Sequence, residues 1–199
     1  SSGTSSFETA FMKPSEWKAK WIYAGKSPNS KFEIAFPSAV SCRYVKLDAT
    51  KLGLPASTDK NYYYMQMAEM EVYSGSTNAA LTASVSANSN WNYSTIWNLN
   101  YLTDGKINDA SCLGYTTPTF SNANQHIYII IDLKNSMNID RIVLYPRQDD
   151  CASSGTQAAN FPASFTLQTS NDGNSYNVQY TATNMAVPAY SNSSNNVPY

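Results

Sequence analysis

Residues 127–147 read IYIIIDLKNSMNIDRIVLYPR, and this stretch decides the fold. It contains two strand patterns, at 127–133 and 139–146. The run from Ile127 to Ile131 is apolar on both faces, which predicts a central strand covered on both sides. Outward from this stretch, similar short patterns recur at 31–36, 43–48, 63–73, 81–87, 163–169 and 176–182. No helical pattern of comparable length accompanies them, so the sequence predicts an all-β protein, an antiparallel β-sandwich.

Local signals add detail to this prediction. The sequence Asn171-Asp172-Gly173 is typical of a hairpin turn, because Asn or Asp followed by Gly tolerates a positive φ. In residues 67–73, strand alternation is expected to direct one set of side chains to one face and the next set to the other. The first set is Ala68, Met70 and Val72, and the second is Glu69, Glu71 and Tyr73.

Composition limits the classes of partner. Hydrophobic residues make up 42% of the 199 residues and charged residues 14%, which predicts a packed core. The 13 basic residues nearly balance the 14 acidic ones, and no basic stripe is visible. Neither nucleic acid nor an anionic membrane is therefore an expected partner. The longest apolar run is too short to span a bilayer, so no transmembrane segment is expected.

Catalytic motifs are lacking in the sequence, and we do not expect an enzyme. The only His, His126, has no Ser or Cys nucleophile motif nearby. Asp149 and Asp150 are adjacent in sequence, which does not place two carboxyl groups across a cleft. The cysteines leave two possibilities open: Cys112 and Cys151 form a disulfide, or all three thiols are unpaired. Cys42 lies in a strand pattern and is expected in the core.

Several motifs together resemble the discoidin-type domain, the galactose-binding-like module also found in coagulation factors. Residues 102–105 (LTDG), 129–133 (IIIDL), 142–147 (IVLYPR) and 165–173 (FTLQTSNDG) follow the order of its opening and middle strands. Two earlier stretches are similar to its closing strands: RYVKL at 43–47 and AEMEV at 68–72. The resemblance implies a jelly-roll β-sandwich.

The order of these half-signatures is reversed, because the closing strands come first. A half sandwich would expose an unpaired sheet edge and half a core. We therefore predict one sandwich with a permuted strand order over residues 31–199, preceded by an extension at 1–30. That extension contains WKAKWI at 17–22, which is similar to the start of the sandwich region of bacterial α-L-rhamnosidase-like proteins. The alternative is that residues 1–75 and 78–199 are parts of two sandwiches.

The resemblance also implies a carbohydrate site in the loops at one end of the sandwich. In sugar recognition an aromatic ring stacks on the apolar face of a pyranose, while planar polar groups reach the hydroxyls. Trp97 is expected to be core. Arg147 has two possible roles, contact with a sugar or pairing with a neighbouring Asp. The candidate residues are Trp91, Asn92, Tyr93, Tyr115, Arg147 and Asp149.

A structural Ca²⁺ is the one cofactor that the resemblance implies. Its expected ligands are Asp104 and Asn108 in the loop after the LTDG motif, closed by Glu69 from the AEMEV strand. Oxygen ligands from a loop suit a hard cation. The alternative is an ordinary Asx turn without metal.

The predicted function is that of a non-catalytic carbohydrate-binding module of a secreted, periplasmic or cell-surface glycan-degrading protein. The motifs KLGLPAS at 51–57, LTDG at 102–105 and YPRQD at 145–149 resemble modules attached to bacterial glycosidases. This resemblance implies two partners, a glycan and the catalytic domain of the parent protein. Two alternatives stay open. One is a structural spacer that packs on a glycoside hydrolase domain, and the other is a discoidin-type adhesion module. An exposed aromatic ring at the loops favours the first function, and an apolar patch on a sheet face favours the spacer.

Overall fold

The computed structural model describes residues 31–55, 62–93, 95–107, 114–147, 153–154 and 157–185. The predicted extension at 1–30 lies outside these residues, as do Cys112 and Cys151. A short 3-10 turn spans Leu99–Thr103. The strands are β1 (Phe32–Lys51), β2 (Gln66–Ser74), β3 (Thr77–Asn78), β4 (Ser84–Ala87), β5 (Tyr115–Thr116), β6 (Ile127–Pro146), β7 (Ser153–Ser154), β8 (Gln157–Ala158), β9 (Ser164–Ser170) and β10 (Asn177–Ala182).

An antiparallel sheet in the order β10-β9-β1-β6-β2-β3 forms the body of the protein, with β4 paired to β6 and β5 to β2. β1 and β6 are each 20 residues long and pass through both layers of a sandwich. In the first layer, residues 44–49 of β1 pair with 127–132 of β6 and with β9. In the second layer, residues 32–35 of β1 pair with 141–144 of β6, which also pairs with β2.

The apolar core lies between the two layers. Val45, Leu47, Ile129 and Ile131 come from the first layer and are fully buried, and the same cluster contains side chains of the second layer such as Met70. In β1, Val45 and Leu47 alternate with polar residues, as expected for a strand with one solvated face. The ring of Phe32 joins the layers, since its centroid lies 5.9 Å from that of Phe165 and 5.8 Å from that of Tyr180. The fold is therefore the predicted all-β antiparallel sandwich.

The two half-signatures pair with each other. Val45 of the first lies opposite Ile131 and Thr169 of the second. Met70 lies opposite Leu144. β1 thus fills the slot between β6 and β9, as the permuted order predicts. The domain boundary near residue 30 stays a prediction.

Two predictions about the faces are wrong. Tyr128 and Ile130 are only half-buried, so Ile127–Ile131 is not covered on both sides. Burial on both faces occurs instead near the end of β6, where Val143 and Tyr145 form a second apolar cluster outside the main core. The register of β2 shifts between Met67 and Glu69. Because of this bulge, the side chain of Ala68 packs in the second cluster, whereas Met70 packs in the main core. The two side chains therefore do not share a face, contrary to what the strand alternation predicts.

Candidate functional site

Several loops meet at one end of the sandwich. β1 ends at this end, and β6, which runs through the first layer and returns through the second, both begins and ends there. We call this the loop end, and its described residues are 52–55, 62–65, 88–93, 95–98, 114–126 and 159–163. Backbone bonds hold the loops together. Leu52 N donates to Ala123 O, and Asn160 N donates to Leu54 O, each at 2.8 Å. Loops with satisfied backbone groups present their side chains in defined positions.

Trp91 and Tyr93 are the exposed rings that the sequence predicts at this end, with 47% and 54% of their surface accessible. Their centroids lie 5.5 Å apart and the rings are inclined by 48°. The backbone beneath them is fixed, since Trp91 N donates to Thr116 O at 2.8 Å and Tyr93 pairs with Trp97. Asn92 lies between Trp91 and Tyr93 in sequence, and its Oδ1 accepts from Leu99 N at 3.2 Å. The two rings therefore form a supported, solvent-facing aromatic pair.

Arg147 follows the last residue of β6 and is largely buried. Its Nη1 donates to Gln66 Oε1 at 2.8 Å, and its guanidinium carbon lies 5.0 Å from the centroid of the Trp97 ring. Asn160 Nδ2 donates to the same Gln66 oxygen at 2.7 Å, and Gln66 Nε2 donates to Thr116 Oγ1 at 3.0 Å. We call Gln66, Thr116, Arg147 and Asn160 the Gln66 network. It joins the first residue of β2, the last residue of β5, the residue that follows β6 and the segment between β8 and β9.

The Gln66 network changes the expected role of Arg147. A guanidinium that bonds to a buried amide and stacks on an indole is held in one orientation, with little of its surface left for a ligand. Its predicted partners Asp149 and Asp150 lie outside the described residues. Trp97 is predicted in the core, but it is half-buried and belongs to neither apolar cluster, and its ring lies against the guanidinium of Arg147 instead. Direct sugar contact by Arg147 or Asp149 stays a prediction.

The expectation that Tyr115 presents its ring to a ligand is corrected by its burial. The side chain is fully buried in the main core, and its hydroxyl donates to Ser89 O at 2.6 Å. The cause is the pairing of β5 with β2, which places Met67 opposite Tyr115. Burial also raises the pKa of the Tyr115 phenol.

Two exposed side chains at the loop end were not among the site residues predicted from the sequence. Leu54 and Tyr62 have 56% and 57% of their surface accessible. The run Tyr62-Tyr63-Tyr64 gave a partial signal, because alternation in an extended segment must bury at least one ring. Tyr63 is the ring that packs against the core, and its backbone pairs with Phe120.

The predicted calcium position has a buried carboxylate at its base. Glu69 is fully buried, and its Oε1 accepts from Gly105 N at 3.0 Å. Burial raises the pKa of Glu69 to about 8. The hydrogen bond from Gly105 N lowers this pKa, whereas the nearby Asp104 and Glu71 carboxylates raise it further. Asp104 Oδ1 accepts from Lys106 N at 2.9 Å, which forms an Asx turn. Glu69 therefore reaches the loop, and the turn expected of the metal-free alternative is also present.

One atom at this position fits a cation. Glu69 Oε2 is buried and has no hydrogen-bond partner among the described residues. An unpartnered carboxylate oxygen in a buried position is costly, and coordination to a hard cation would satisfy it. Within the described part of the chain no three acidic, His or Cys side chains converge. Asn108 lies outside the described residues.

Comparison with known families agrees with this architecture. The F5/8 type C domain family matches residues 81–198, and the chain belongs to this family. No curated protein and no solved structure matches the chain. F5/8 type C domains are generally non-catalytic binding modules, so the protein is a carbohydrate-binding or adhesion module. Over the described residues, no helix has the length and apolar character needed to cross a membrane.

Proposed function

We propose that the protein is a non-catalytic carbohydrate-binding module that holds a glycan against the aromatic pair Trp91 and Tyr93. We further propose that it serves a secreted, periplasmic or cell-surface glycan-degrading protein, with the catalytic domain of that protein as its second partner. The observation that carries the proposal is the exposure of these two rings on hydrogen-bonded loops. The family to which the chain belongs consists generally of binding modules, which supports the same function.

The chemistry of the aromatic pair suits a sugar. A pyranose has an apolar face of C–H groups and a polar rim of hydroxyls, so it binds best where a ring is surrounded by neutral hydrogen-bonding groups. The exposed Asn90 and Asn92 flank Trp91, and their amides supply both donors and acceptors. The inclined Tyr93 ring packs beside the indole, which reduces the freedom of Trp91 before a ligand arrives.

Calorimetric titration with methyl galactosides and methyl rhamnosides tests the proposal. A shallow site with one stacking ring should give a Kd of roughly 0.1–1 mM. Trp91→Ala or Tyr93→Ala should weaken binding by ~1–2 kcal/mol, about 5- to 30-fold. Their stability should hardly change, because surface substitutions usually have small effects. The control is Val178→Ala, which removes an equally exposed side chain from β10. Equal binding by the wild type and both ring variants would place the site elsewhere.

Adhesion to a lipid surface is the second candidate, favoured by the exposed Leu54 at the loop end. Sedimentation with phospholipid vesicles separates it from sugar binding. Co-sedimentation that is lost in Leu54→Ala, together with no binding across a broad glycan panel, would favour adhesion. No binding in either assay would favour the structural spacer.

We also propose that Ca²⁺ binds at the Asp104 loop and has a structural role, with Glu69 and Asp104 as ligands from the described residues. The buried, unpartnered Glu69 Oε2 supports this proposal. A ligand that binds only the native state must stabilise it. The melting temperature should therefore fall when a chelator is added and recover with excess Ca²⁺, and Glu69→Gln should lose this response. A melting temperature that is insensitive to chelator would contradict the proposal.

A further inference from the structure

The exposed apolar side chains of the described residues are concentrated at the loop end. Among the described residues six large hydrophobic side chains are strongly exposed, and four of them, Leu54, Tyr62, Trp91 and Tyr93, lie on these loops. Single exposed apolar residues are ordinary, whereas a concentration at one end points to a binding surface. This inference rests on the proposed sugar binding. We infer that the ligand is a neutral oligosaccharide, held by Trp91 at one end and by Tyr62 at the other.

The segment 114–120 lies between Tyr62 and Trp91. On one side of it, Thr117 N donates to Met65 O, and Tyr63 pairs with Phe120. On the other side, Thr116 O accepts from Trp91 N. Successive backbone groups of an extended segment point to opposite sides, so Tyr62 and Trp91 lie on opposite flanks of the segment.

The spacing of the two residues exceeds a single sugar ring. They are separated by two inter-strand distances across the segment and by about five residues along it, which together place them roughly 15–20 Å apart. Tyr62 directly precedes Tyr63, whose ring packs against the core, so the Tyr62 ring points away from the core. A ligand that contacts both Tyr62 and Trp91 must therefore be a chain of several sugar units.

The described residues of these loops define the chemical class of the chain. The stretches 52–55, 62–65, 88–93, 95–98 and 114–125 contain no Asp, Glu, Lys or Arg. Pro118 and Thr119 are exposed between the two aromatic residues. Anionic glycans and anionic headgroups need cations to offset their desolvation, whereas a neutral glycan needs rings, hydroxyls and amides. The surface therefore matches a neutral oligosaccharide.

Titration with a series of increasing chain length tests the inference. The probes are neutral galacto- and rhamno-oligosaccharides with one, two, four and six units, and a uronic acid oligosaccharide serves as the charged comparison. Affinity should rise roughly five- to tenfold between the single unit and the longer chains, because the second aromatic contact is reached only by them. The uronic acid chain should bind no tighter than a single neutral sugar.

Substitutions assign the gain to Tyr62. Tyr62→Ala should abolish the dependence on chain length and leave the affinity for the single unit unchanged, while Tyr62→Phe should keep the gain. Trp91→Ala should weaken binding of every chain length. Val178→Ala, with an equally exposed side chain, should behave as wild type. A fluorescence melt of each variant verifies that it is folded.

The outcomes separate this inference from the proposed function. Binding of single units with no gain from chain length, or a gain that persists in Tyr62→Ala, would overturn the inference and leave the module a sugar binder. Preference for the uronic acid chain would overturn the assignment of a neutral ligand. A failure of every glycan to bind would overturn both, and binding of phospholipid vesicles in that case would assign the exposed residues to a lipid surface.

Discussion

Replacing Gln66 with Met should lower the free energy of unfolding by about 3 kcal/mol. Gln66 is buried, and its side chain makes three hydrogen bonds, from Arg147 and Asn160 and to Thr116. Loss of a hydrogen bond to a charged group costs ~1.5–3 kcal/mol and loss of each neutral one ~1 kcal/mol. Met is nearly isosteric and removes the desolvation cost of the amide itself, which offsets about 1 kcal/mol of that sum.

Urea unfolding followed by tryptophan fluorescence and by circular dichroism measures this change. The slope of the transition should be unchanged while the midpoint falls, because the native surface area stays nearly constant. Gln168→Met is the matched control. Gln168 lies on the half-buried face of β9 and donates to Thr166 Oγ1 at 2.7 Å and to Asp48 Oδ2 at 3.5 Å. The second bond is long and therefore weak, so we expect a loss below ~1 kcal/mol.

Gln66→Glu adds a second test of the same reasoning. A carboxylate keeps an acceptor for Arg147 and Asn160 and loses only the donor to Thr116, so this variant should be more stable than Gln66→Met. If Gln66→Met unfolds within ~0.5 kcal/mol of the wild type, the Gln66 network does not hold the loop end together. If both Gln66 variants are equally destabilised, the change reflects packing rather than hydrogen bonding.

Two further predictions concern stability. Burial raises the pKa of Glu69 from 4.5 to about 8, so in the presence of a chelator the native state binds a proton that the unfolded chain loses above about pH 4.5. The melting temperature should therefore decrease as the pH rises from about 4.5 to 8, and in Glu69→Gln it should no longer depend on pH over this range. A pH dependence that survives this substitution must come from another group. Gly53→Ala should be strongly destabilising, since the new Cβ would lie 2.0 Å from Phe161 O. In Gly75→Ala the new Cβ meets no atom within 4 Å, so the free energy of unfolding should fall by only ~1 kcal/mol because of the positive φ. Equal losses of stability in urea unfolding would refute the steric argument.

The sequence predicted where strands occur and which of them pair, but it did not predict that two neighbouring strand patterns form one continuous strand. The strand patterns at 31–36 and 43–48 are joined in β1, although Pro37 between them lacks a backbone donor. The strand accommodates Pro37 because the pairing with β6 is irregular between Ala35 and Val40. Local patterns could not reveal this, since it depends on a partner strand far along the chain.

The candidate site was predicted where exposure follows from neighbouring residues. Asn residues beside Trp91 and Tyr93 indicated a solvated loop, and both rings are exposed. Tyr115 lies between Gly114 and Thr116, a sequence typical of a loop, but its pairing with β2 buries it, which no local pattern shows. The Gln66 network likewise joins residues 81 and 94 positions apart in sequence, a long-range arrangement that a sequence alone does not specify.

The position of β1 at the centre of the sheet has a consequence for synthesis on the ribosome. β1 is synthesised well before its partners β6 and β9, since Arg43 and Asp132 are 89 positions apart in sequence. At the usual rate of elongation the nascent chain holds this apolar strand unpaired for roughly 5–20 s. Unpaired apolar strands are prone to aggregation, and pairing over such distances is slow. Correct folding therefore depends on what shields residues 32–51 during translation, and expression yield should respond to chaperone supply more strongly than the stability of the finished protein would suggest.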